Sequence, residues 1–280
     1  MPNITHDILM ITYNRPEFTR KALGQLLETC DSYMRVWVWH NGGPGRTLDV
    51  VNEFRTHPKF YHLHCARENK ALREPTNWFW KESDAVFLSK VDDDCLMPRG
   101  WGKELRETLS ASPQLGITAC WLYYESDYVP ELAEKKTIRF PGGVAVMSHH
   151  HVQGSGYAMK REVYRELGQI KSHESFTVYC QRVAASGWVV GWRLPFLCLD
   201  HMDDPRSPNY PFKTDEEFLE NRSLSAAGRG IESLHEWKER SIRQAQTLQS
   251  EHIDPRELLG LRGRWRRRKE RIRLIFRGRQ

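Results

Sequence analysis

Ala85-Val-Phe-Leu-Ser-Lys-Val-Asp-Asp-Asp94 is a mostly apolar run that ends on three consecutive aspartates. Short, largely apolar and stopped by charge, it reads as a buried strand over residues 85–91. Working outward, residues 8–12 (Ile-Leu-Met-Ile-Thr) form a similar strand, stopped by Asn14-Arg15-Pro16. Pro16 and Glu17 open a helix whose apolar face carries Phe18, Ala22, Leu23, Leu26 and Leu27. Residues 34–39 read as a second strand, and Asn41-Gly42-Gly43-Pro44-Gly45 as a loop, because that glycine density suits nothing else. A helix over 47–55, a strand over 61–65 and a helix over 77–83 complete the approach to the aspartates. Strand and helix in alternation predict a parallel sheet with right-handed crossovers. Ligands of such sheets sit beyond the carboxyl ends of the strands. The polar groups gather at those ends: Tyr13-Asn14-Arg15, His40-Asn41-Gly42 and Asp92-Asp93-Asp94.

Beyond the aspartates, 101–110 reads as a helix, 116–123 as a strand and 125–148 as a polar, irregular insertion, a candidate ligand-facing segment. Residues 154–159 (Gly-Ser-Gly-Tyr-Ala-Met) lead into a helix over 161–167. A helix over 176–186 ends at Gly187, and a strand-like segment over 188–199 leads to His201. Past Pro211 the chain turns helical and charged. The expected organisation is a catalytic α/β domain over 1–210, then a helical extension over 211–280 that ends in a basic amphipathic tail.

A chain of 280 residues with 39% hydrophobic and 28% charged residues has enough apolar material for an ordinary core, which excludes wholesale disorder. No apolar run reaches the length of a membrane span. The first strand begins almost at once, with no basic or apolar leader, so a cytoplasmic protein is expected. The six cysteines include no C-x-x-C pair and read as reduced thiols rather than disulfides or a zinc site. The net charge of +6 is unevenly placed: residues 262–279 hold nine Arg and one Lys against one Glu, a local +9 that leaves the remainder near −3. The catalytic region is therefore not a polyanion-binding domain. In the tail, Leu261, Trp265, Ile272, Ile275 and Phe276 recur at near-helical spacing among arginines. Such a helix lies on an anionic membrane surface, grips nucleic-acid phosphates, or does neither; the membrane reading, peripheral at the inner face, is preferred over nucleic acid.

Crowded carboxylates repel, and their pKa values rise unless a cation neutralises them. A hard divalent ion, Mn²⁺ or Mg²⁺, does this and bridges to phosphate oxygens. Strand alternation points Asp92 and Asp94 the same way. The competing reading is a turn or helix-capping cluster ahead of Pro98, although one aspartate suffices for a cap.

Three blocks resemble family 2 glycosyltransferases of the GT-A fold: Ile11-Thr-Tyr-Asn-Arg-Pro-Glu-Phe18, Trp39-His-Asn-Gly42 and Lys90-Val-Asp-Asp-Asp-Cys-Leu-Met-Pro-Arg-Gly-Trp101. The resemblance spans roughly residues 6–201. It implies a GT-A fold with a mostly parallel central sheet, and a nucleotide-sugar donor, usually UDP-linked. By the same likeness Asp92, with Asp93 beside it, faces the ribose or donor sugar, and Asp94 and Asp92 hold the metal. Thr12, Tyr13, Asn14 and Arg15 then line the nucleotide pocket, and Asn41 approaches the base. The family usually carries an acidic residue where this chain has His40-Asn41, which leaves the base open.

Arg73 is a candidate diphosphate partner or a solvated loop arginine. Gly154-Ser155-Gly156 resembles the family's small-residue segment beneath the sugars, where glycine lets backbone approach a ligand; otherwise it is a plain turn. Glu174, then His173, are candidates for the general base that an inverting transfer requires, Glu174 being alternatively a cap. His201 is a candidate metal ligand or a loop histidine. His149-His150-His151 reads as an exposed loop, since consecutive side chains do not all aim at one ion. The expected activity is transfer of a hexose-like sugar to a glycan or lipid-linked acceptor. The alternatives are a nucleotidyltransferase, which would carry a Gly-rich, Lys-containing first loop, and a DNA-modifying glycosyltransferase or nucleic-acid-binding protein using the Arg-rich tail.

Overall fold

The computed structural model describes residues 4–260 and Gly263. The basic tail expected over 261–280 therefore lies, but for Gly263, outside the described residues. The elements run β1 (His6–Thr12), α1 (Pro16–Thr29), β2 (Met34–Asn41), α2 (Arg46–Glu53), β3 (Phe60–Ala66), α3 (Arg73–Glu82) and β4 (Phe87–Asp92). Then follow β5 (Cys95–Leu96), α4 (Trp101–Ser110), β6 (Leu115–Ala119), α5 (Pro130–Glu134), β7 (Thr137–Arg139), β8 (Ala145–Ser148) and β9 (Tyr157–Lys160). The chain closes with α6 (Arg161–Leu167), α7 (Phe176–Ala185), β10 (Val189–Leu194), β11 (Asp200–His201), α8 (Asp215–Asn221), α9 (Leu224–Ala227) and α10 (Leu234–Ser250).

The main sheet has nine strands in the order β3-β2-β1-β4-β9-β6-β10-β8-β7. The first half is the expected parallel unit: β1 pairs with β2 and β4, and β2 with β3, all parallel. All seven residues of β1 are buried, as two-sided coverage by crossover helices requires. In register, Thr12 faces His40 and Ile11 faces Asp92. The three polar strand ends therefore share one rim.

The second half departs from the expected pattern. β9 lies antiparallel between β4 and β6. It was missed because it has four residues following a glycine turn, too few to show a period. Residues 125–148 are not irregular: they contain α5 and the β7–β8 hairpin, and β8 pairs antiparallel with β10. α3 begins at Arg73 rather than at 77, with Pro75 in its first turn, where a missing N–H breaks no helical bond. β6 stops at Ala119, leaving Trp121 in an isolated bridge to Cys198. The strand expected over 188–199 is interrupted at Pro195, which has no N–H to give a ladder, and β11 resumes at Asp200. No disulfide forms, and Cys30, Cys65, Cys95, Cys120, Cys180 and Cys198 are free.

Helices cover both faces. One cluster joins Trp80, Trp121, Trp192 and Tyr179 with Leu9 and Leu88; the other joins Leu23, Leu26, Trp101 and Leu105 with Ile8 and Val36. Alternate residues of β1 enter opposite cores, as the pleat dictates. α10 is fastened to this body by polar contacts. The Trp237 indole donates to the Asp203 carbonyl at 2.7 Å, and the Gln249 amide donates to the Asp127 carbonyl at 2.8 Å. Among the described residues no helix is long and apolar enough to cross a membrane.

The reading of His149-His150-His151 as an exposed loop is corrected. His149 and His150 are buried, and burial lowers the pKa of all three imidazoles to about 3. Ser148 ends β8, and a bend at His150 replaces the strand alternation that would have splayed the rings.

Candidate functional site

The rim where β1, β2 and β4 end carries the aspartates, and each has found a different partner. Asp92 takes an ion pair from Lys90, two residues earlier and on the same strand face. Its backbone N–H donates to the Ser155 hydroxyl at 2.8 Å, and Lys90 also donates to the Gly154 carbonyl at 3.0 Å. Gly156, at φ +67°, closes this turn; a Cβ there would stand 2.6 Å from the Leu199 side chain. The Gly154-Ser155-Gly156 turn is thus fixed directly against the end of β4.

Asp93 turns toward α1. It accepts from the Thr19 hydroxyl at 3.1 Å and from the Tyr13 N–H at 3.4 Å. Burial, reinforced by the adjacent Asp94 charge, lifts its pKa to about 7. Asp94 meets Arg15 at 2.9 Å and His201 at 3.8 Å, and the second guanidinium nitrogen of Arg15 reaches Asp203 at 2.8 Å. Arg15 also lies 3.8 Å over the Phe18 ring, which fixes its plane. Burial alone would raise the Asp94 carboxyl, but His201 and Arg15 hold it well below the usual range.

For His201, burial works downward, yet the Asp94, Asp203 and Asp204 carboxylates raise its pKa to about 9. A folded pKa above the free value means that this pairing contributes fully below about 6.5 and is lost as pH rises through about 9. In metal-free buffer the chain should lose on the order of 1–2 kcal/mol more stability between pH 7 and 9.5 than His201→Asn does. Chemical denaturation at both pH values measures this, and equal losses in the two proteins would contradict the pairing.

Ligand atoms of Asp94, Cys95 and His201 lie within 4.8 Å of one another. Burial and the neighbouring carboxylates push the Cys95 thiol well above its ordinary pKa, so it remains a protonated group facing Asp94. The oxygen and nitrogen donors are Asp94 and His201. Asp92 is beside them in sequence but committed to Lys90.

Two rim-loop residues adopt the left-handed region: Asn14 at φ +50°, which asparagine tolerates, and Ala71 at φ +55°, which an alanine avoids. Tyr13 is 42% exposed, and its ring covers Gly42, where an added Cβ would stand 3.2 Å away. Thr12 and Asn41 are fully enclosed. The Thr12 hydroxyl pairs with His40 Nδ1 at 3.1 Å, and His40 Nε2 with the Gly43 carbonyl at 3.0 Å. The Asn41 amide donates to Asn69 and to the Ala71 carbonyl, both at 2.8 Å, and accepts the Lys70 N–H at 2.6 Å. Both residues thus shape the rim loops through protein contacts.

Arg73, exposed at the start of α3, reaches the Glu174 carbonyl at 3.5 Å. It lines a cleft of about 740 Å³ with Trp39, Lys70 and Trp78, and none of the three aspartates is in that lining. His173 is exposed. Glu174 is buried, and Arg182 donates to both of its oxygens, at 3.1 and 2.9 Å, while the Lys171 N–H adds a third bond at 3.0 Å. Burial would raise this carboxyl, but Arg182 and the Lys171 N–H hold it below the ordinary range.

Two site residues escaped the sequence reading. Lys90 had a signal, a lone charge inside an apolar strand and in phase with Asp92. Asp203 had only its place near His201, because its partner Arg15 is 188 residues away.

With this geometry in view, the comparisons are decisive for the family. The profile of Glycosyl transferase family 2 matches residues 7–168. The chain belongs to glycosyltransferase family 2. No curated protein matches it in sequence. Solved structures resemble it in fold. The mannosyltransferase PcManGT from Pyrobaculum calidifontis, in complex with GDP-Man and Mn²⁺, is 16% identical, with a TM-score of 0.59 over 91% of this chain and 78% of that one. S. aureus TarS residues 1–349 with UDP are 11% identical, TM-score 0.54, over 88% and 90%. The same TarS fragment with UDP-GlcNAc is 13% identical, TM-score 0.54, over 78% and 64%. The family 2 glycosyltransferase has the GT-A α/β architecture, with a sheet parallel through β1–β4 and two reversed strands farther on.

Proposed function

We propose that this glycosyltransferase moves a hexose-like sugar from a nucleotide-sugar, UDP-linked in the first instance, to a glycan or lipid-linked acceptor with inversion, using Mn²⁺ or Mg²⁺. The observation that carries the reading is the rim itself: Asp94, Arg15 and His201 in contact at the end of β4, with the Gly154–Gly156 turn bound to Asp92 alongside. The GDP-Man, Mn²⁺ and UDP-GlcNAc held by the structural neighbours agree with such a donor.

Asp94 and, once it gives up the proton that pairs it with Asp94, His201 offer an anionic oxygen and an imidazole nitrogen, a set that suits Mn²⁺. Bound there, the ion supplies positive charge for the nucleoside-diphosphate leaving group. The chain's own residues do the rest. Tyr13, exposed above Gly42, offers a flat face to the base. Arg15, rigid between two carboxylates and Phe18, directs its charge at the diphosphate. Asp92, steadied by Lys90, faces ribose or sugar hydroxyls. Thr12, Asn41 and Asp93 hold the loops, and Gly154–Gly156 lets the sugar approach backbone. Arg73, held here to the Glu174 carbonyl, is a further cation proposed for the diphosphate. For the acceptor proton, His173 is exposed and free to act, whereas Glu174 needs its Arg182 pair opened first. Residues 261–280 are proposed to meet an anionic lipid surface.

A melting-temperature panel of UDP, GDP, ADP and CDP, each with and without Mn²⁺, tests the donor. UDP with Mn²⁺ at a hundredfold excess over Kd should add about 2.7 kcal/mol, a shift of several degrees. GDP outranking UDP would change the base, and no shift with any nucleotide would remove the donor-site assignment.

A further inference from the structure

The histidines that follow β8 lie far along the chain from the aspartates and belong to a different rim of the sheet. The His149 N–H donates to the Val190 carbonyl, at the beginning of β10. β10 is parallel to β6, and β6 to β4 through the shared antiparallel neighbour β9. The aspartates follow the end of β4, so the histidines occupy the amino-terminal edge of the parallel strands.

Ligand nitrogens of His149, His150 and His151 all lie within 4.8 Å of one another. A fourth donor arrives from just beyond α10: Glu251 Oε2 stands 3.5 Å from His149 Nε2 and 3.9 Å from His150 Nε2. Two ligands sharing a tetrahedral Zn²⁺ at about 2.05 Å sit roughly 3.4 Å apart, so these separations need little change to close on an ion.

Two further features point to a ligand. His149 Nε2 and His151 Nδ1 are buried and have no hydrogen-bond partner, although the His149 side chain is only 1% exposed. Buried polar atoms are normally satisfied, and orphans of this kind call for an explanation. His149 Nδ1 lies 3.1 Å from the His151 carbonyl and 3.3 Å from the His151 N–H, so either tautomer has a local partner. A metal takes the tautomer that donates Nδ1–H to the carbonyl, which leaves the Nε2 lone pair facing Glu251. Lys136, which lines the same cavity, donates to the Leu248 carbonyl. Beside the cluster opens a cavity of about 360 Å³, lined by His149, His150 and Glu251 together with His252 and Asp254, which gives an ion access.

We propose that His149, His150, His151 and Glu251 form a transition-metal site of the Zn²⁺ class, separate from the donor site, that staples the segment following α10 to the sheet edge. Its ligands come from two parts of the chain about a hundred residues apart, so an ion held there joins them as a cross-link would. The proposal does not depend on the sugar donor.

The test uses the full chain without an affinity tag, stripped by chelator and titrated with Co²⁺ and then Zn²⁺. The expected result is one equivalent of Co²⁺ with the intense visible band of tetrahedral coordination, displaced by Zn²⁺, and a Zn²⁺-dependent rise in melting temperature. Asp94→Asn should keep all of this. His149→Gln should weaken binding at least ~100-fold. Glu251→Gln, at a half-buried side chain, should weaken it as well and secures the test if His149→Gln misfolds. A wild-type chain with no tetrahedral band, or a band that disappears in Asp94→Asn and persists in Glu251→Gln, overturns the proposal.

Discussion

Asp94→Asn should reduce kcat/KM for nucleotide-sugar consumption about a thousandfold. The side chain keeps its shape and loses the charge. A bound divalent ion supplies several kcal/mol to the departing diphosphate, and at 1.36 kcal/mol per factor of ten roughly 4 kcal/mol gives that loss. Asp93→Asn is the internal control. Asp93 is held by Thr19 and the Tyr13 N–H and has its pKa lifted to about 7. Neutralising it should cost less than tenfold. Initial rates at saturating Mn²⁺, with melting temperature as the check on folding, separate the two. A loss below tenfold for Asp94→Asn in a folded protein would remove the metal from the proposed mechanism.

Glu174→Ala should act mainly on stability. Its carboxylate is 5% exposed and grips Arg182, which is 15% exposed, through both oxygens. Removing one partner strands a guanidinium in a poorly hydrated place and frees the Lys171 N–H, a loss of about 3 kcal/mol. For a chain of this size the melting temperature should then fall by roughly 6–12 °C. Arg182 also donates to the Leu167 and Gln169 carbonyls, so the damage would spread through the connection between α6 and α7. His173→Ala, at an exposed position, should leave the melting point unchanged and reveal any proton-transfer role as a fall in kcat alone. If Glu174→Gln instead melts like the parent while kcat falls a thousandfold, Glu174 is the base and the Arg182 pair is its restraint.

Like charges at a strand end do need neutralising. Much of that charge comes from Lys90, Arg15 and His201 of the chain itself, and Asp93 relieves the rest through its raised pKa. The ion proposed at Asp94 would therefore join a site already balanced by protein cations. The pairing of Asp94 with His201 is the part a sequence suggests only weakly, since 107 positions separate them.

What the sequence determined by itself was everything carried by local periodicity. β1, α1, β2 and β4 announce themselves because a strand buried on both faces must be continuously apolar and a crossover helix must repeat its apolar face. The gathering of Tyr13, Asn14, Arg15 and Asp92–Asp94 on one rim follows from that topology alone. Only the tertiary structure decided the insertion of β9, the reversal at β8, the enclosure of Thr12, Asn41 and Glu174, the arrival of Asp203 at Arg15, and the approach of His149 and His150 to Glu251. These depend on contacts between residues distant in the chain, or on a bend that cancels strand alternation, and neither leaves a period in the sequence. Local pattern fixes which backbone hydrogen bonds a segment makes; which side chains it meets is settled when the sheet closes and excludes water.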